Sequence, residues 1–321
     1  MSVRWGILGA GNFARQHMGP AIHAAQGADL VALATTSAEK ASGFLSFCPT
    51  LTVHPTYDAL LADPQIDVVY IPLPNHLHVE WVNKALDAGK HVLCEKPLAM
   101  NASEIPALMA RRDQTGLLVA EAFMIVHHPQ WKWAKEQVAS GAIGKLVHVT
   151  GRFTFDNRDP GNIRNRPETG GGALRDIGIY VIGSARFVTG EEPSEISSRI
   201  RWENGVDVFT EIGATFPGFT YSAYISTRLH RGQEMVFHGE EGLIRLTAPF
   251  NANVFGEARV DLHRPGLEIL TKRWPDSNHY VLQVEAFCHS LRTGEDYACP
   301  LEFSYGTQEM MDRVFDAAQS L

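Results

Sequence analysis

The chain has 321 residues and a formal net charge of −8 at pH 7; 45% of its residues are hydrophobic and 20% are charged. This length suggests two domains, and the composition is that of a soluble globular protein. The acidic balance argues against a nucleic-acid binder, and no apolar run is long enough to span a bilayer, so we expect a cytoplasmic protein. The cysteines lack a C-x-x-C spacing, which predicts reduced thiols and no zinc site.

The first motif is an apolar strand that runs directly into a glycine-rich turn. The N-terminal segment RWGILGAGNFA places Gly9, Gly11 and Ala14 in the Gly-x-Gly-x-x-Ala spacing of dinucleotide-binding folds. The first glycine permits the tight turn, the second lets the backbone approach a pyrophosphate, and the alanine lets the next helix pack closely. The helix N-terminus offers free N–H groups to phosphates. We therefore predict a dinucleotide at this loop, which also contains Asn12 and Phe13.

Strand and helix patterns alternate in the N-terminal third of the chain. The predicted segments after the first strand are strands at 30–36, 51–53, 66–73, 91–95 and 117–122 and helices at 12–25, 75–89 and 103–115. Repeated β–α units predict a doubly wound parallel sheet of the Rossmann type, in a domain that covers residues 1–122. Ligands of such sheets bind outside the carboxyl ends of the strands.

The end of the second predicted strand bears on the choice of cofactor. Folds that select NAD usually place a carboxylate there, whereas this chain has Thr35, Thr36 and Ser37, followed by Lys40. Hydroxyls and a cation suit a 2′-phosphate, which predicts NADP, with NAD as the alternative. Ser37 could equally cap the helix that begins at Ala38.

Two further motifs carry candidate chemistry. Lys96, in Glu95-Lys96-Pro97, ends the fifth predicted strand and is directed towards the ligand crevice, although a lone lysine is more often only solvated. A glycine run precedes a helix in which Asp176 and Tyr180 are four residues apart. With a lysine nearby they form a proton-transfer set; the alternative is a helix-start charge and a core aromatic residue.

Together these motifs resemble the Gfo/Idh/MocA family of NAD(P)-dependent oxidoreductases. The resemblance covers nearly the whole chain, through GILGAGNFA, HVLCEKPLAMNASE, EAFMIVHHPQ, DPGNIRN, GGGALRDIGIY and HYVLQVEAFCHSLRTGE. It implies a catalytic group of Lys96, Asp176 and Tyr180, because the family uses the lysine of its EKP motif, the aspartate of its D-I-G helix and a histidine or tyrosine four residues later. In having a tyrosine at the last of these positions, the chain resembles the pyranose and diol dehydrogenase branch of the family.

The same resemblance implies the ligands and a mechanism. It places Leu73, Pro74, Asn75, His78 and Glu95 at the cofactor, beside Lys96. Arg164, which precedes the glycine run, is a candidate for contact with the substrate or with a cofactor phosphate, and the alternative is a merely charged loop. In the oxidative direction Tyr180 takes the hydroxyl proton, Lys96 stabilises the phenolate and Asp176 positions the substrate. The expected activity is NADP-dependent oxidation of a cyclic sugar, polyol or vicinal diol. The alternatives are a keto-sugar reductase and a non-catalytic NADP-binding regulator.

Residues 123–321 are predicted to form a second, α+β domain. Alternating patterns indicate antiparallel strands at 146–155, 195–202, 209–216, 220–226, 234–239 and 242–247. They imply a large open, mainly antiparallel sheet whose apolar face needs a cover, so we expect a homodimer or homotetramer. The histidine pairs at 76/78 and 127/128 lack supporting carboxylates or cysteines, and no metal is expected.

Overall fold

The computed structural model describes residues 2–321 and divides the chain into two compact units. The first unit contains the chain up to Met124 together with His279–Tyr305, and the second contains Ile125–Asn278 together with Gly306–Leu321. The break after Met124 lies close to the predicted boundary. The segment 279–305 differs from the prediction, because it packs with the first unit: the rings of Trp5 and Phe287 lie 5.2 Å apart.

The sheet of the first unit has six parallel strands in the order β3-β2-β1-β4-β5-β6. The strands are β1 (Val3–Leu8), β2 (Ala28–Ala34), β3 (Thr52–His54), β4 (Val68–Ile71), β5 (His91–Cys94) and β6 (Val119–Glu121). This order confirms the doubly wound Rossmann sheet, in which the strand order reverses beside β1. β2 ends two residues before its predicted end, which leaves Thr35 and Thr36 in the following loop.

The sheet of the second unit has nine strands in the order β14-β13-β12-β11-β7-β10-β9-β8-β15. The strands are β7 (Leu146–Asp156), β8 (Glu195–Glu203), β9 (Val206–Phe216), β10 (Phe219–Ser226), β11 (Arg228–Gly239), β12 (Leu243–Leu246), β13 (Arg259–His263), β14 (Ile269–Arg273) and β15 (Ala318–Ser320). Most neighbours are antiparallel, as predicted, but β7 pairs with β10 and β8 pairs with β15 in parallel. Parallel pairing requires a long crossover, which the intervening chain supplies in both cases.

The helices confirm the predicted alternation in the N-terminal unit. In chain order, the helices of both units are α1 (Gly19–Ala24), α2 (Ala38–Leu45), α3 (Tyr57–Leu61), α4 (His78–Asp87), α5 (Ile105–Thr115), α6 (Pro129–Ala139), α7 (Ile179–Thr189), α8 (His279–Thr293) and α9 (Leu301–Asp316). Two of them, α1 and α7, are entered through π-helical turns, at Ala14–Met18 and Leu174–Gly178. π-Turns of this kind are frequent at functional sites.

The exposed face of the nine-stranded sheet carries a row of polar side chains across its central strands. Arg152, Tyr224, Glu211 and Arg199 are cross-strand neighbours on β7, β10, β9 and β8, and Arg199 pairs with Glu211 at 3.8 Å. Buried residues that alternate with them, such as Ile212, point to the opposite face. The face is therefore less apolar than expected, because charges and hydroxyls share it with aromatic residues such as Phe209, whose ring stacks on Tyr224. Assembly stays a prediction.

Candidate active site

The glycine loop that follows β1 forms one wall of a cleft in the first unit. Gly9 has φ +105°, which favours glycine, and a Cβ placed on Gly11 would meet only the carbonyl oxygen of Pro72, at 4.0 Å. The open space over this backbone suits a pyrophosphate. The cleft encloses a cavity of about 540 Å³, and its lining includes the predicted cofactor residues Thr35, Thr36, Ser37, Lys40, Leu73 and Pro74.

The loop after β2 combines a helix cap with free polar groups. Ser37 Oγ accepts a hydrogen bond from Lys40 N at 3.2 Å, and Thr35 Oγ1 accepts one from Ser37 N at 3.2 Å. Ser37 therefore caps α2, as the structural alternative predicted. The side chains of Thr36 and Lys40 are exposed beside it. The cap at Ser37 does not exclude a phosphate beside it, because the positive N-terminal end of α2 stabilises both the cap oxygen and a nearby anion.

The sequence reasoning missed two aromatic residues that line the same cleft. Tyr57 and Trp81 pack edge to face with ring centroids 4.9 Å apart. Burial raises the pKa of Tyr57, whose hydroxyl lies 3.2 Å from where a Cβ on Gly9 would stand. Aromatic walls suit a flat purine ring. Tyr57 could have been found from its place just after β3, because the carboxyl ends of parallel strands share one sheet edge.

The turn after β5 carries Lys96 on a hydrogen-bonded backbone. The hydroxyl of Tyr70 donates to Glu95 Oε1 at 2.5 Å, and the backbone N–H of Lys96 donates to Glu95 Oε2 at 3.3 Å. Glu95 thus braces the turn from within the protein, whereas the sequence placed it at the cofactor. The side chain of Lys96 is half-buried.

His78 corrects the prediction of a direct cofactor contact. Its side chain is fully buried, with Nδ1 2.7 Å from the carbonyl oxygen of Pro97 and Nε2 2.8 Å from that of Leu73. Burial lowers the pKa of His78 to about 4. A ring enclosed in this way holds backbone instead of touching a ligand.

The D-I-G motif lies in the second unit, on the π-turn that precedes α7. The buried carboxylate of Asp207, on β9, accepts a hydrogen bond from Leu174 N at 2.6 Å and so anchors the start of the turn. Burial raises the pKa of Asp207 to about 6. Within the turn, Asp176 accepts a hydrogen bond from Arg164 Nε at 2.6 Å. The structure therefore brings together two predicted substrate residues, and Asp176 retains 13% side-chain exposure.

Tyr180, at the start of α7, has the packing of a core residue. It is 5% exposed, and its ring lies 5.7 Å from the rings of both Phe153 and Phe250. The packing interpretation offered by the sequence is therefore correct for the ring. It leaves open the role of the hydroxyl, because aromatic packing can fix a phenol in place for chemistry.

The predicted catalytic residues are divided between the two units. Lys96 belongs to the first unit, and Asp176 and Tyr180 belong to the second. Within residues 2–321 no three histidine, cysteine, aspartate or glutamate side chains are grouped in a way that could hold a metal ion. No helix in the same range is both long and apolar enough to cross a membrane.

Comparisons with known proteins identify both units. A family model described as "Oxidoreductase family, NAD-binding Rossmann fold" matches residues 3–123, and one described as "GFO/IDH/MocA C-terminal domain" matches residues 131–245. D-xylose 1-dehydrogenase (NADP(+)) 2 of Haloferax volcanii is 31% identical, over 99% of this chain and 98% of its own. A dTDP-3,4-didehydro-2,6-dideoxy-alpha-D-glucose 3-reductase of Actinomadura kijaniata is 36% identical, over 99% of this chain and 96% of its own.

A solved structure shows the same architecture over the full length. KijD10, a 3-ketoreductase from Actinomadura kijaniata solved in complex with NADP and TDP-benzene, aligns with a TM-score of 0.90 at 28% identity, covering 100% of this chain and 99% of its own. These matches confirm the predicted α/β fold with a nicotinamide-binding domain and the predicted enzyme class. The chain belongs to the GFO/IDH/MocA family of NAD(P)-dependent oxidoreductases.

Proposed function

We propose that this protein is an NADP-dependent sugar oxidoreductase that oxidises a carbinol of a pyranose. The observation that carries the cofactor choice is the cleft beyond β2, where exposed Thr36 and Lys40 stand beside the capped N-terminus of α2. Hydroxyl and ammonium groups would hold a 2′-phosphate, which a carboxylate would repel. The NADP in KijD10 and in the name of the xylose dehydrogenase supports the choice.

The catalytic roles follow from the chemistry of three side chains. Bound nicotinamide would supply the hydride acceptor. Tyr180, as the phenolate, accepts the hydroxyl proton of the substrate and becomes the neutral phenol, and the packing against Phe153 and Phe250 limits the positions of that oxygen. Lys96 stabilises the phenolate by its positive charge. Asp176, held by Arg164, accepts a hydrogen bond from a second hydroxyl of the sugar.

Reduction of a keto-sugar is the second candidate function. The 36% identity to a dTDP-keto-sugar 3-reductase over nearly the whole chain favours it. The same groups serve both directions, because a tyrosine that accepts a proton during oxidation returns it to the carbonyl oxygen during reduction.

An assay of both directions decides between the candidates. Free aldoses, polyols and diols are tested with NADP and NAD, and keto-sugars, free and dTDP-linked, with NADPH, while absorbance of the reduced nicotinamide is followed. We expect turnover with an aldopyranose and NADP. Turnover only with keto-sugars would assign the reductase function, and tight NADP binding without turnover would support the regulator that the sequence left open.

Tyr180→Phe tests the proposed proton transfer. It keeps the ring in its aromatic cluster and deletes the hydroxyl, so we expect kcat to fall by about 100-fold or more while the Kd for NADP is unchanged. Val188→Ala, a similarly buried change further along α7, is the packing control and should retain kcat. Near-normal turnover of Tyr180→Phe across the pH range would show that another group is the base.

A further inference from the structure

Two buried side chains hold the backbone directly after Lys96. The carbonyl oxygen of Pro97 lies 2.7 Å from His78 Nδ1, and the backbone N–H of Leu98 donates to Glu121 Oε1 at 2.7 Å. His78 is fully buried and Glu121 is 2% exposed. The carbonyl of Pro97 and the N–H of Leu98 are thus contacted by side chains from two different elements, α4 and β6.

His78 also reaches a second segment. Its Nε2 lies 2.8 Å from the carbonyl oxygen of Leu73, whose side chain lines the nucleotide cleft. A neutral imidazole carries one N–H, so it can donate to the carbonyl of Pro97 or to that of Leu73, and only the imidazolium can donate to both. Burial lowers the pKa of His78, and the two carbonyl oxygens act against that fall. In either protonation state the ring lies directly between the two carbonyl oxygens, one on the cleft wall and one in the Lys96 turn.

Glu121 acts on the turn from the other side. It is the last residue of β6 and is paired in register with Cys94, the last residue of β5. This pairing sets its carboxylate beside the chain that leaves β5. Burial raises the pKa of Glu121 to about 7, and the positive charge of Lys96 acts against that rise. The carboxylate therefore interacts electrostatically with Lys96 and also accepts a hydrogen bond from the backbone that follows it.

We propose that His78 and Glu121 are positioning residues for Lys96, and that His78 additionally ties the Lys96 turn to the wall of the NADP cleft. The proposal rests on the catalytic role proposed for Lys96. It assigns the two residues different effects: Glu121 sets the geometry of the lysine alone, whereas His78 sets the geometry of both the lysine and the cofactor.

Four variants separate these effects. Glu121→Met removes the acceptor of Leu98 N and should lower kcat by about 10- to 100-fold, with the Kd for NADP changed less than about twofold. Glu121→Gln keeps an acceptor oxygen and should restore kcat to within about fivefold of wild type. His78→Phe removes both contacts and should lower kcat and weaken NADP binding by about tenfold or more. If His78→Phe does not fold, His78→Gln, which keeps one amide donor, should show the same two effects at smaller size.

Glu104 provides the matched control. Its Oε2 accepts hydrogen bonds from Met100 N at 2.9 Å and Asn101 N at 3.0 Å, so it holds the same loop beyond the Lys96 turn. Glu104→Met should lower the melting temperature and leave kcat and the Kd for NADP close to wild type. An equal loss of kcat in Glu104→Met and Glu121→Met would overturn the proposal, because general loosening of the loop would then explain both.

Lys96→Met, measured in parallel, distinguishes failure of this inference from failure of the proposed function. A loss of activity in Lys96→Met with normal kcat in Glu121→Met would overturn the positioning role and leave the catalytic lysine in place. Normal activity in Lys96→Met would refute the catalytic role on which the inference rests. Unchanged NADP binding in folded His78→Phe and His78→Gln would overturn the tie to the cleft.

Discussion

Several polar side chains that the sequence assigned to ligand contacts also form hydrogen bonds within the protein. Ser37 lines the cleft and caps α2, and Glu95 belongs to the EKP motif and accepts the hydroxyl of Tyr70. Asp176 is a candidate substrate contact and already pairs with Arg164. Replacing a residue that has two such roles removes both of them at once. Substitutions that isolate one role are therefore the informative ones.

Thr36→Asp isolates the choice of cofactor. Thr36 is exposed in the cleft and makes no cap, so the change adds a carboxylate where the 2′-phosphate is expected. We expect NADP to bind at least about tenfold more weakly while NAD binding changes little, because charge repulsion acts only on the phosphate. Binding is measured by titration calorimetry, with Thr36→Asn as the uncharged control. Tighter binding of NAD than NADP by the wild type would contradict the prediction.

Glu121 gives a pH dependence of stability with a defined sign. Burial raises its pKa from 4.5 to about 7, so the folded state holds the proton more tightly than the unfolded state does. The resulting stabilisation is complete below about pH 4.5 and is lost as the pH rises towards 7. Relative to Glu121→Gln, the wild type should therefore lose melting temperature between pH 5 and pH 7.5.

The comparison with Glu121→Gln is needed because other buried groups titrate in the opposite sense. Burial lowers the pKa of His127 to about 3 and that of His128 to about 4, so these residues destabilise the fold as the pH falls below 6.5. Their contribution is common to both proteins and cancels in the difference. A difference in melting temperature that does not change with pH would contradict the assignment.

At the scale of elements, both motif-bearing helices begin with a π-turn and have a tightly packed glycine where the turn meets the α-helix: Gly19 follows the first turn, and Gly178 is the last residue of the second. A Cβ on Gly19 would lie 2.9 Å from the carbonyl oxygen of Ala14, and one on Gly178 would lie 2.5 Å from Leu174 Cδ1. Asp176 lies within the π-turn and Tyr180 lies in α7 after it, so the two residues do not belong to one continuous α-helix, as the sequence pattern assumed.

Gly172→Ala tests how the D-I-G turn is anchored. Gly172 has φ +118°, and a Cβ there would stand 2.0 Å from Asp207 Oδ1, the carboxylate that holds Leu174 N. We expect a loss of about 2–4 kcal/mol in unfolding free energy, from backbone strain together with the displaced anchor. Chemical denaturation measures it.

Gly190→Ala is the matched control for this substitution. Gly190 also has a positive φ, of +72°, but a Cβ there would meet no atom within 4 Å. Gly190→Ala should lower the free energy of unfolding only through backbone strain, by about 1 kcal/mol. Equal losses in the two variants would show that the contact with Asp207 contributes nothing.

At the scale of the whole molecule, self-association remains a prediction of the family resemblance. The exposed face of the nine-stranded sheet carries Arg199, Glu211, Arg152 and Glu234, with Arg152 and Glu234 3.3 Å apart. An interface on such a face would depend on charge, so we expect light scattering to report at least a dimer at micromolar concentration that weakens at high salt. A monodisperse monomer at low salt would contradict it.

The sequence by itself determined the features that depend on short stretches of chain. Turn chemistry and periodicity sufficed for the glycine loop at Gly9 and Gly11 and for the alternation that builds the Rossmann sheet, whereas the roles of Lys96 and Tyr180 came from the family resemblance and stay predictions. The loop and the alternation are each encoded by neighbouring residues, so no knowledge of distant contacts was needed.

Only the tertiary structure decided which residues support those motifs. Glu121 meets Leu98 across 23 positions of chain, and Asp207 meets Leu174 across 33. The parallel pairing of β7 with β10 and the packing of 279–305 with the first unit are likewise long-range. Periodicity shows that a residue is buried but not what it touches, because a buried polar group finds its partner only when strands and helices have assembled.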